Sequence, residues 1–439
     1  MGMLILSSML LHRMLDRFMT LLEILVLRVR HWLWRVVLVG SVVSPASAVD
    51  IDIMAEFVPD RSRPQDNKFK DITPPYGMCA WKPNNCPGIN SVHMRSYAMA
   101  TRPIIANHSS ERQGAMFRLP SQWRTISVYH EADGMPEILK FRMAGISGTY
   151  STGPDLRRYF NDYSSTAEQL HERLWGGGNG WRNPPSPCGF LAEPARIDFL
   201  THQFNWGMPI QSDGVCAKRA SYDIISLQYY NLTMVYELEA PKPLDMRAGR
   251  YRGNLNFLMG PGQDIDFGDV VLPDTPNLNI NFTLDVEHVF KVDIPPGGDR
   301  VELVPEGGWQ SWLQNPARAP KKLFRDQTFL ISSSVPFSMQ LICSDGYAEW
   351  CGIRNENNHH IPLAVHVSLP SGIVDGEGRP AVRQTLSNKR GVKFQPGIYV
   401  DNKPATLHFE AGRFVDEMLR DHAGSTYSGT VTVVWDSDV

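Results

Sequence analysis

The chain has 439 residues, 42% apolar and 20% charged, with 35 Gly, 32 Pro and a formal charge of -3. That length accommodates two or three domains with true cores, and the charge leaves no footprint for nucleic acid. Gly and Pro at this level suit many short strands better than long helices, so an all-β fold is expected.

The first 48 residues differ in kind from the rest. Arg28, Arg30, His31 and Arg35 precede an apolar run over 36–43, and Pro45-Ala46-Ser47-Ala48 supplies the small residues a signal peptidase reads. This reads as a signal peptide cut after Ala48, with an apolar run too short for a lasting membrane anchor. The segment 3–27 is apolar but broken by His12, Arg13, Asp16, Arg17 and Glu23, which leaves Met14 and Met19 as alternative starts. Removing 1–48 takes 43 basic and 46 acidic residues to 38 and 44, a mature charge of -6.

All six cysteines follow the cut, and their spacings are not those of zinc sites. Disulfides are the default in an exported chain. Of fifteen connectivities, nearest-neighbour pairing is expected, because each pair falls within one hairpin or loop: Cys79 with Cys86, Cys188 with Cys216, and Cys343 with Cys351.

The mature chain opens on an alternating strand, 49–58, followed by a Pro- and Asn-rich loop over 59–87. Strands are expected at 126–129, 138–143, 197–200, 222–238 and 250–260, with one helix at 164–175 capped by Ser165 or Thr166. A β-rich run over 278–286 gives way to another at 289–294 with no loop of its own between them. A domain boundary is placed there, giving a first domain of 49–286 and a second of 287–439. The second continues with strands near 301–304, 328–331, 338–342, 361–369, 397–400 and 405–409. It closes on Tyr427-Ser428-Gly429-Thr430-Val431-Thr432-Val433-Val434-Trp435, whose period-two pattern marks a half-buried strand.

Seven or so short strands ending in Tyr-x-Gly-x-Val-x-Val describe an immunoglobulin-like sandwich. Together with Ala248-Gly249-Arg250-Tyr251-Arg252-Gly253, the junction over 280–295 and the Cys343 region over 339–347, the pattern resembles the two-domain tip adhesins of chaperone-usher fimbriae. The closer resemblance is to the minor subunit of the alternate, colonisation-factor class. It covers the second domain and the end of the first. The resemblance implies a pilin domain one strand short, whose groove is filled first by a periplasmic chaperone and then, beyond the outer-membrane usher, by the N-terminal extension of the major pilin subunit. On this chain the groove falls to Phe290, Val292 and Ile294 on one wall and Val431, Val433 and Trp435 on the other, with the Val439 carboxylate where such chaperones offer basic residues. Asp436, Asp438 and the final Val depart from the penultimate Tyr of many pilins. A strand beginning at Val49 leaves no donor segment, which agrees with a place at the fimbrial tip on the cell surface.

The first domain is expected to hold the recognition site. Trp175, Asn179, Trp181 and Arg182 flank a Gly-rich loop and pair aromatic faces with donors, a combination suited to a sugar, although Trp rings packed inward fit the same residues. Arg102, Arg157 and Arg158 would suit acidic glycans or plain solvation. The carboxylates Asp264, Asp266 and Asp269 lack EF-hand spacing, and the adjacent His359 and His360 cannot both face one metal from a strand. No Gly-x-Ser-x-Gly elbow with partners is present. A non-enzymatic adhesin for a host or environmental glycan or protein receptor is expected, without cofactor or metal. The alternatives are a non-binding minor pilin that initiates fimbrial assembly and a secreted glycan-active enzyme.

Overall fold

Two alternating segments distant in sequence set the frame of the first lobe. The computed structural model describes residues 48–175, 180–210, 212–314 and 319–437, so the signal peptide expected over 1–48 lies outside the described residues except for Ala48. Strand β1 (Ala48–Phe57) buries Ile51, Ile53, Ala55 and Phe57 and turns Asp50 and Asp52 to solvent. It runs parallel to the strand Asn277–Val286, in which every second residue from Leu278 to Val286 is buried. A period of two leaves no freedom in register once one face is apolar, since a slip by one would expose the whole row.

Between them the chain adds β2 (Arg124–His130), β3 (Pro136–Ser151), β4 (Thr201–Gly207), β5 (Gln228–Glu239) and β6 (Gly249–Leu258), and Asn277–Val286 is β7. The path across the sheet is β5-β3-β2-β6-β7-β1. The long β3 changes partner halfway: its first part pairs with β2 and its second with β4, while β5 accompanies it from Lys140 to Ser151. A strand shared in this way curls the sheet over a single core rather than splitting it into the two flat layers of a sandwich. A short ribbon, Ala115–Arg118 with Val215–Lys218, lies beside it. At Gly145 an added Cβ would meet the Trp206 carbonyl at 2.5 Å, so β3 and β4 need glycine where they first meet.

The single helix expected here is α1 (Ala167–Leu174), started by a reciprocal capping box between Thr166 and Gln169. The strand expected at 197–200 is a turn. Asp198 accepts from the N–H groups of Leu200 and Thr201, at 2.9 and 2.8 Å, and holds the chain bent until β4 begins at Thr201.

The second lobe has its own core, centred on Phe329, Ile331, Phe337, Met339, Val365 and Phe394. Its strands are β8 (Phe290–Asp293), β9 (Leu323–Ser333), β10 (Phe337–Cys343), β11 (Trp350–Arg354), β12 (His360–Ser368), β13 (Val392–Pro396), β14 (Val400–Ala411) and β15 (Val431–Ser437). One sheet runs β8-β9-β14-β12-β11, and the sheet facing it ends β13-β10-β15. The whole is nearly all β, in two β-rich lobes. The three disulfides join Cys79 to Cys86, Cys188 to Cys216 and Cys343 to Cys351.

Candidate functional site

The second lobe carries an unfilled seam. Strand β15 pairs with β10 on one side, and β8 pairs with β9 on one side; among the described residues neither has a ladder partner on its other edge. The hydrogen-bond phase of each strand is readable. Ser344 N–H donates to the Thr430 carbonyl at 2.9 Å, so by the alternation of an antiparallel ladder Thr432, Val434 and Asp436 bond to β10. Val431, Val433 and Trp435 then turn their N–H and C=O groups away from β10, to the open edge. Ser334 N–H donates to the Val289 carbonyl at 2.9 Å, which in the same way directs the backbone of Phe290 and Val292 away from β9.

Side chains follow the same alternation. Val431, Val433, Trp435, Phe290 and Val292 are half-buried and pack on the second core without being enclosed by it. The two walls reach across the sandwich: the Phe290 ring lies 5.0 Å from that of Phe337 on β10, and the Trp435 ring 5.9 Å from that of Phe329 on β9. Ile294 lies beyond the last ladder residue of β8 and is 54% exposed. Asp438 and Val439 lie outside the described residues. The result is a seam with apolar walls and unspent backbone donors and acceptors on both sides, the two requirements for accepting a further strand. Phe329 and Phe337, which line the seam from beneath, were not among the expected groove residues; their signal was the alternation of β9 and β10.

The residues expected to bind ligand in the first lobe are placed differently. Trp175 and Trp181 are 2% and 0% exposed. Trp175 Nε1 donates to the Tyr150 hydroxyl at 3.2 Å, and Trp181 stacks on Trp206 at 4.7 Å. Both rings belong to the core and offer no face to a sugar: Tyr150 packs against both, and Phe204 and Trp206 pack against Trp181. Arg182 is at the surface, paired with Glu168 at 3.1 Å and Glu193 at 2.8 Å. Asn179 lies outside the described residues.

The carboxylate cluster is structural. Asp266 is fully buried, and burial alone would raise its pKa. Arg112, at 2.8 and 3.3 Å, and the N–H groups of Gly262 and Gly268, both at 2.8 Å, overcome that and hold it below the ordinary value. Asp264 sits elsewhere, accepting from Leu258 N–H at 3.1 Å. Asp266→Ala is therefore expected to cost about 3 kcal/mol, because two backbone donors and part of a guanidinium lose their partner. Urea unfolding followed by tryptophan fluorescence measures it, and a change under 1 kcal/mol would remove the structural role. His359, just before β12, and His360, its first residue, have different partners: His359 Nδ1 lies 2.5 Å from the Tyr427 hydroxyl, and His360 is 3.4 Å from Asp345.

No family model and no curated protein matches this chain. Among solved structures it is similar to a chain of the chaperone-tip adhesin complex of CFA/I fimbriae, at 9% identity and a TM-score of 0.24, covering 89% of this chain and 97% of that one. It is also similar to a chain of the CsuC-CsuE chaperone-tip adhesion subunit pre-assembly complex from the archaic chaperone-usher Csu pili of Acinetobacter baumannii. That likeness has 9% identity and a TM-score of 0.19, covering 89% and 98% of the two chains. At these scores neither likeness bears on function.

Proposed function

We propose that this chain is the tip subunit of a chaperone-usher fimbria, exported to the periplasm, joined to the fibre through its second lobe and carrying a receptor-binding first lobe. The single observation that carries this reading is the seam between β8 and β15, where two edge strands leave apolar side chains half-covered and backbone groups unspent on both walls. A strand supplied by another polypeptide completes both ladders at once. The periplasmic chaperone, and later the major pilin, are the partners that chemistry fits, with the usher between them. β1 is taken up within the sheet of its own lobe, along the whole length of β7, which suits a subunit that accepts a strand. The receptor is a surface glycan or protein, bound without catalysis.

Co-expression with the chaperone and usher subunits of a matching assembly system tests the reading. The full chain is expected to co-purify from the periplasm as a one-to-one complex with the chaperone, and a chain trimmed of residues 431–439 is not. Equal recovery of the complex from both would refute it.

A further inference from the structure

The outer face of the second lobe carries a chain of hydrogen bonds that the seam does not use. Phe329 on β9, Leu407 on β14 and Val365 on β12 point into the core, so by the period of two Asp326, His408 and Ser368 lie on the opposite face. The ladders bring these three together. His408 stands directly opposite Asp326 on one side, and on its other side Ser368, opposite Thr406, is its diagonal neighbour. His408 Nδ1 lies 2.7 Å from Asp326 Oδ1, and His408 Nε2 lies 2.8 Å from Ser368 Oγ.

The chemistry of the groups orders the protons. An ionised carboxylate only accepts, so Nδ1 carries a hydrogen, and Nε2 of the neutral ring accepts the hydroxyl hydrogen of Ser368. The backbone N–H of Arg383 donates to the same Oγ at 3.0 Å. Arg383 does so from a left-handed conformation, φ 49°, and strain of that kind in a non-glycine residue gathers at functional sites. A donor so close to the serine oxygen is also within reach of the oxygen of a carbonyl attacked there. We infer that Ser368, His408 and Asp326 form a nucleophilic triad that takes the acyl group of a small carboxylic ester. Oγ bonds to the carbonyl carbon as Nε2 takes its proton, and the ester C–O bond breaks with that proton passing to the leaving alcohol. Water then adds to the acyl carbon, giving a proton to Nε2, and the carboxylic acid departs as Oγ recovers that proton. Asp326 touches no substrate and positions the ring.

The triad lies on the face turned away from the core onto which the seam opens, so it neither rests on the fimbrial reading nor falls with it. The full chain is treated with a fluorophosphonate, whose phosphorus stands in for the carbonyl carbon and whose fluoride leaves. Intact mass is expected to show one adduct per chain, placed on Ser368 by peptide masses. Labelling is expected to slow about a hundredfold in His408→Gln. In Asp326→Asn, a change at an exposed position, it is expected to slow at least about tenfold, with loss of the low-field proton resonance of an imidazole bonded to a carboxylate and an unchanged urea midpoint. Hydrolysis of p-nitrophenyl acetate is expected to fall at least about tenfold in Ser368→Ala. No adduct on Ser368, equal labelling of the chain and both variants, or equal ester hydrolysis by Ser368→Ala overturns the assignment. So does slowing in Asp326→Asn that comes only with a lowered urea midpoint, because the bonds would then be structural.

Discussion

Between pH 7 and pH 4 the first lobe is expected to lose about 6 kcal/mol of unfolding free energy, most of a typical domain's stability, through two buried histidines. His171 and His202 are 0% and 1% exposed, with rings 5.3 Å apart. The Asp198 carbonyl lies 2.7 Å from His171 Nε2 and can only accept, so that nitrogen carries the proton; Nδ1 therefore accepts from the Tyr150 hydroxyl at 2.7 Å. Tyr150 in turn accepts from Trp175 Nε1. The relay is complete only with a neutral imidazole. Burial pushes His171 down to about 4, and burial with repulsion from His171 pushes His202 down to about 3.

Both folded-state values lie below the 6.5 of a free imidazole, so the unfolded chain takes up protons first. The stability they contribute is whole above that value and falls as pH drops toward 4 and then 3, by about 3 kcal/mol for each ring at pH 4. His93, His288 and His366 are lowered too, mainly by burial, and act in the same direction. A variant therefore isolates the pair. In His202→Phe, which keeps a ring stacked on Tyr150, the loss in urea unfolding between pH 7 and pH 4 is expected to shrink by about half. An unchanged pH slope would clear His202 of the role.

What the sequence disclosed, and what it withheld, follows from the range of the forces involved. The rows of β1, β7 and β15 were legible because a period of two is a local property, and each row has one apolar side. The disulfides Cys79–Cys86 and Cys343–Cys351 were legible because they close short loops, of 7 and 8 residues; Cys188 and Cys216, 28 apart, were then the pair left over. Which way Trp175 and Trp181 face was not, since a Gly-rich turn permits either direction and the choice is made by Tyr150, Phe204 and Trp206 from distant strands. The strand expected at 197–200 failed for a nearer reason: Asp198 ties the backbone N–H groups that a ladder would have used. The triad joins Asp326, His408 and Ser368 from three strands, and no local pattern marks segments so far apart in sequence. The seam stands between these cases. Its β15 wall is readable as an apolar row, but that β8 is also an edge depends on which sheet each strand joins.

That dependence makes the seam sensitive to single charges. Capture of a seven-residue peptide of alternating valine and threonine, matched to the length of β15, is expected to weaken at least about a hundredfold in Val433→Asp, the equivalent of about 3 kcal/mol. Val433 faces the core side of the seam and is half-covered in the free chain, so an aspartate there keeps much of its water until a strand arrives. Closing the seam removes that water and leaves the carboxylate between Phe290, Val292 and the incoming side chains with no cation to meet it, and an unpaired buried charge costs several kcal/mol. Val292→Asp on the opposite wall is expected to act alike. Thr432→Asp, one residue away, points to solvent and bonds to β10, so capture is expected to change by less than about 0.5 kcal/mol. The contrast between neighbours distinguishes a seam that takes up a strand from a surface that merely attracts peptide. Anisotropy of a labelled peptide reads it, and equal capture by Val433→Asp and Thr432→Asp would mean that no strand enters between β8 and β15.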